Sequence, residues 1–115
     1  MAGSLLKAAR RSRKRTNSVF NNPPKMVAIK VTAVTALGAV LTITFDQPIS
    51  LNGVPAYTTD VVGATASSAV MTGTNTIALT FSATVAAATE VRIPYEEPAV
   101  RNGSGGFVST STFPV

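Results

Sequence analysis

Leu41-Thr42-Ile43-Thr44-Phe45 sets a pattern that returns as Ile77-Ala78-Leu79-Thr80-Phe81 and Val91-Arg92-Ile93-Pro94-Tyr95. In each stretch large apolar residues occupy i, i+2 and i+4, and smaller or polar residues fall between them. That is the period of a half-buried strand, and the β-branched and threonine-rich composition suits a pleated surface. Each run ends in an aromatic ring. Stacked apolar faces of such strands predict a small all-β domain, with Phe45, Phe81, Tyr95 and Phe107 expected in its core.

Length and composition limit what this domain does. Of 115 residues, the first 25 differ in kind from the other 90, and a chain of 90 buries only about 60% of its unfolded surface. There is no cysteine, so neither a disulfide nor a thiol nucleophile is available, and no histidine, the commonest general base and metal ligand. The acids are Asp46, Asp60, Glu90, Glu96 and Glu97. Serines and threonines are numerous but have no base to activate them. Asp46 with Glu96-Glu97 is the one candidate cation site, yet hard cations take six or more oxygens and this loop supplies few. We therefore expect no enzyme, no cofactor and no metal.

The charge is divided sharply. Residues 1–25 hold Lys7, Arg10, Arg11, Arg13, Lys14, Arg15 and Lys25 without an acid, a charge of +7. Residues 26–115 hold three cations against five acids, a net −2. The expected division is a basic arm over 1–25, a partner-binding element made by those seven cations, and a folded body over 26–115. Ser4 is placed to cap a helix of about three turns when a partner induces it, because like charges repel along an isolated short helix. Asn21-Asn22-Pro23-Pro24 reads as an extended spacer. The arm lacks the apolar segment of a secretory signal. It has the arginine-rich, acid-free character of a transit peptide and a cluster of nuclear-localisation type, but is expected to stay on the chain and to be held by something.

The body divides into seven expected strands: 26–35, 37–46, 57–62, 69–72, 76–83, 89–95 and 107–113. Gln47-Pro48 ends the second, and Gly73-Thr74-Asn75 closes a hairpin between the fourth and fifth. Seven short strands at this spacing predict an antiparallel β-sandwich. Apolar stretches are broken long before about 20 residues, so no membrane-spanning helix is expected.

Leu41-Thr-Ile-Thr-Phe-Asp-Gln-Pro-Ile49, Val70 to Phe81, Val91-Arg-Ile-Pro-Tyr-Glu-Glu-Pro98 and Asn102-Gly-Ser-Gly-Gly-Phe-Val108 together resemble the bacterial immunoglobulin-like repeats of the SwmB type, found in cell-surface and phage structural proteins. The resemblance covers most of residues 35–113 and implies an immunoglobulin-like sandwich. It departs from the family in having one copy and in lacking the usual loop aspartate, so it does not imply a metal role for that loop. A basic arm ahead of one compact β domain looks instead like a virion protein, a capsid decoration or cement protein of a tailed phage on the capsid surface, made in the host cytoplasm.

That resemblance implies the major capsid protein or other virion proteins as partners, with the arm strapped across coat subunits. The alternative is a nucleic-acid-binding coat or packaging protein whose arm meets the genome, as in small RNA viruses, although their jelly-roll bodies are usually longer. The arm has no aromatic before Phe20 on which to stack single strands. A third class, a surface adhesion or carbohydrate module, is disfavoured by the absence of tryptophan and of a secretion signal. Only 13% of the chain is charged, against about 25% ordinarily, and the expected outer faces carry Ala, Thr and Ser. Such a surface predicts association, as a homo-oligomer or within a larger assembly.

Overall fold

The computed structural model describes residues 27–115, and the arm with its seven cations short of Val27 lies outside them. The described residues are all-β, arranged in antiparallel sheets. The strands are β1 (Val31–Leu37), β2 (Val40–Phe45), β3 (Ser50–Leu51), β4 (Thr58–Thr59), β5 (Ala66–Met71), β6 (Thr76–Phe81), β7 (Glu90–Arg92), β8 (Val100–Arg101) and β9 (Thr112–Pro114). Seven of these answer to the expected strands. The other two, β3 and β8, are a two-residue ladder formed between segments outside the expected strands.

One layer is a four-stranded sheet in the order β1-β2-β6-β5. Its two central strands are the defining pattern itself: Leu41 and Ile43 pair in register with Leu79 and Ile77 of β6, and all four are buried with Phe45 and Phe81. Gly38 makes the β1–β2 turn tight. It sits at φ +61 in the first central position of a two-residue turn, the signature of a type II′ hairpin whose twist matches its strands.

β1 begins later than the alternation predicts. Ile29 forms an isolated parallel bridge with Val108, and the regular ladder starts at Val31. The register then shifts between Val31 and Ala33, which makes Thr32 an extra residue. A bulge of this kind lets Val31 and Val34, three apart, face the same core.

The opposite layer is assembled from short pieces, β4-β7-β9 and β3-β8. Val91 and Val100 of these strands, with Tyr57, Ile93 and Val108 on the segments beside them, join the buried residues of the four-stranded sheet in one apolar cluster. Asp60 fixes the start of β7. Its carboxylate accepts the Thr89 N–H at 2.8 Å, the Thr89 hydroxyl at 2.6 Å and the Glu90 N–H at 3.4 Å. These bonds favour the ionised form and lower the group from its ordinary 3.8 to about 2, the Thr89 hydroxyl acting most strongly.

Two aromatic placements differ from expectation. Tyr95 is 91% exposed rather than core, because Pro94 ends the ladder and Glu96, at φ +53, turns the chain out of the sheet. Phe107 is half-buried, with the Arg101 guanidinium 4.6 Å from its ring centroid. Tyr57, in a weakly patterned run, instead fills the core at 1% exposure. Its hydroxyl is the buried side-chain polar atom that lacks a hydrogen-bond partner among the described residues, and burial pushes its pKa up.

Two stability predictions follow from the core and from Asp60. Ile43→Ala removes a fully buried side chain from the central strand and should cost about 3 kcal/mol in urea unfolding, whereas Tyr57→Phe, which removes an unpaired hydroxyl, should leave stability equal or higher by about 1 kcal/mol. Asp60 has a depressed folded pKa, so its contribution is complete above its unfolded value and is lost as pH falls toward about 2. Tm measured from about pH 5 down to about pH 2 should fall less steeply in Asp60→Asn than in the parent.

Candidate functional site

The seven cations expected to bind a partner, Lys7, Arg10, Arg11, Arg13, Lys14, Arg15 and Lys25, lie outside the described residues. What the structure shows is the place where the arm joins the body. Val27 to Lys30 enter along the loop from Asn102 to Gly106 and the turn after β2, and each partner they meet is a polar group suited to exposed backbone.

Asn102 is the centre of this junction. Its carbonyl oxygen accepts the Ser104 N–H, the Ser104 hydroxyl and the Gly106 N–H at 2.8–3.1 Å. Its amide donates to the Val27 carbonyl and to the Gln47 Oε1, both at 2.7 Å. The side chain thereby folds its own loop and holds the incoming strand with the same amide. A fully satisfied buried network of this sort fixes a single geometry.

The remaining bonds extend the grip along the chain. The Val27 N–H donates to Ser104 Oγ at 3.0 Å, and Gln47 Nε2 donates to the Ala28 carbonyl at 3.0 Å. Asp46 Oδ1 accepts the Lys30 N–H at 3.0 Å while the Asp46 N–H donates to the Lys30 carbonyl at 2.9 Å. The bond from Lys30 holds the Asp46 carboxyl below its ordinary range. Gly106 is required by closeness: a Cβ there would overlap the Val27 carbonyl and crowd Asn102 Nδ2. Asp46-Gln47, at the end of the second expected strand, and the loop Asn102-Gly-Ser-Gly-Gly are thus two jaws of one clamp.

The acids do not gather into one centre. Asp46 is committed to the clamp, and Glu97 accepts the Ala56 N–H at 3.2 Å and the Ala99 N–H at 3.0 Å. Among the described residues no group of three or more acids is placed to hold a metal ion.

Beside the clamp lies a largely apolar groove of about 360 Å3. Ala28 of the entering strand, Pro94, Tyr95 and Glu96 after β7, and Phe107 and Ser109 before β9 all contribute to it. Tyr95, displaced from the core, forms part of its wall.

The outer face of the four-stranded sheet is the other surface of note. The pairings place Ala33, Thr35 and Leu37 beside Val40, Thr42 and Thr44, then Thr76, Ala78 and Thr80, then Ser68 and Val70. None of these is charged. Leu37 is 84% and Val70 57% exposed. The outer strand β5, Ala66–Met71, also carries no lysine or proline to discourage edge pairing.

No protein-family model, curated protein or solved structure matches the chain.

Two glycines in one loop test the clamp. Gly106→Ala should cost about 1–3 kcal/mol in urea unfolding, because the new methyl meets backbone that is already tied down. Gly103→Ala, which points into open space at an ordinary φ, should change stability by less than about 0.5 kcal/mol.

Proposed function

We propose that this chain is a virion structural protein, a capsid decoration or cement protein of a tailed phage, whose basic arm straps onto coat subunits while the β body sits on the capsid exterior. The observation that carries the reading is the clamp on Val27 to Lys30. A tether transmits load only if its root is fixed, and here backbone on both sides of Ala28 is bonded to two separate loops of the body. A solubilising tail has no need of such a root.

The surface supports the same reading. An uncharged sheet face with an unguarded edge favours association with copies of itself or with neighbouring virion proteins. Oligomers on a repeating lattice convert weak arm contacts into tight attachment through effective concentration. The seven arm cations fit an acidic coat surface, and they fit phosphate as well, which makes genome binding the competing reading.

Removing residues 1–24 leaves the clamp residues in place, so the truncated protein should keep its Tm within a few degrees yet lose attachment to particles in a density gradient. Retained attachment overturns the strap. Co-sedimentation of the full chain that survives nuclease supports coat binding. Loss after nuclease, with a log–log salt slope of about −5 for six neutralised phosphates, overturns it in favour of the genome.

A further inference from the structure

We propose that the groove beside the clamp is the seat of this chain's own Phe20-Asn21-Asn22-Pro23-Pro24 segment, folded back over the body. The site stands on where the described chain begins. Ala28 is part of the groove, and Val27 lies directly against Gly106, which also borders it. Pro24 is four residues from Ala28, a span of at most about 13 Å in extended chain, and Phe20 is only four residues further.

The chemistries match. Pro23-Pro24 favours the extended polyproline conformation, which loses little entropy on binding, and such segments dock on aromatic-lined grooves. Tyr95, Phe107 and Pro94 provide that lining, and a volume of about 360 Å3 falls within the range of sites that enclose short ligands. Phe20 is the one aromatic of the arm, which otherwise has little to bury. Glu96 borders the groove and makes no ion pair among the described residues, while Lys25 directly follows Pro24. A segment tethered this closely has an effective concentration of order mM, so modest affinity suffices.

Tyr95 gains a purpose in this arrangement. Its exposure costs the core an aromatic ring, and the left-handed Glu96 beside it holds the backbone in a conformation unusual for a side chain of that kind. Seating the spacer would cover the ring and set the direction in which Lys7 to Arg15 leave the body. The inference is independent of whether those cations meet protein or nucleic acid.

Limited trypsinolysis of the full chain at low protein concentration tests it, with cleavage after Lys25 compared with cleavage after Arg15. The bond after Lys25 should be cut at least about tenfold more slowly than that after Arg15, and Tyr95→Ala and Phe20→Ala should each remove most of the difference. Tyr95 is exposed, so its replacement should leave Tm unchanged, which separates loss of the seat from loss of the fold. Slow cleavage after Lys25 that neither substitution accelerates reflects only the nearby clamp and overturns the proposal. Protection that grows with protein concentration places a second copy's segment in the groove and overturns it equally. As an independent readout, Phe20→Ala should shift the Tyr95 and Phe107 ring resonances by NMR, and unshifted rings overturn the seat.

Discussion

The apolar face of β2 and β6 must be covered, and this requirement governs the rest of the body. Without a disulfide, about 90 residues must form a core from a single layer of contacts, and Leu41, Ile43, Ile77 and Leu79 lie at its centre fully excluded from water. A second regular sheet of equal size would need more chain. The cover is made instead from two- and three-residue ladders, each strand contributing one inward side chain: apolar Leu51, Val91, Val100 and Phe113, and the buried polar Thr59. Short ladders have few hydrogen bonds of their own, so polar side chains complete them. Asp60 at the start of β7, Glu97 beneath residues 56 and 99, and Asn102 in its loop all serve this purpose.

The same economy explains how charge is used. The few acids of the body are spent mainly on backbone N–H groups, with Asp46, Asp60 and Glu97 each accepting from main chain. Only Glu90 pairs with a cation among the described residues, bridging to Arg92 at 3.2 Å on the surface, a contact worth little in water. Little charge remains for the broad face of the four-stranded sheet. That face is built largely from threonine and alanine and carries the exposed Leu37 and Val70. A solitary domain gains solubility by placing lysine and glutamate on such a face, and here none is present.

How much could be read from the sequence depends on the range of the interactions. Strands β2 and β6 are governed by local alternation, and their inward residues are those that the period of two selects. The β1 bulge is invisible to that period because Thr32 interrupts it, and Val34 then reaches the core three residues after Val31. Tyr95 continues the alternation of Val91 and Ile93 perfectly well, but a proline and a left-handed glutamate break the geometry the pattern assumes. Tyr57 has Pro55 and Thr59 at i±2, neither of which marks an apolar strand face. Asn102 is least legible of all: its partners Gln47 and Val27 are 55 and 75 residues away, and nothing local distinguishes it from a turn asparagine. A loop with Asn followed by four small residues does carry a trace of the clamp, since only such residues allow another backbone to approach this closely.

The arm and the body therefore meet at a point where sequence-local and long-range constraints coincide. Cations and prolines are local signals, but the fixing of the root depends on Asn102, Ser104, Asp46 and Gln47, which bond the backbone of Val27, Ala28 and Lys30 from two sides. Neither jaw suffices alone, because the loop of Asn102 is itself folded around the carbonyl oxygen of that side chain, and the Gln47 side chain bonds both to it and to the entering strand. Loosening either jaw leaves the other with unpaired groups that were buried or half-buried, each costing about 1–3 kcal/mol. The root is also tied to the fold through Ile29, whose N–H and carbonyl bond to Phe107 and Ser109. The 107–109 segment in turn borders the groove wall formed by Tyr95, so that a single stretch of backbone connects the clamp, the groove and the core.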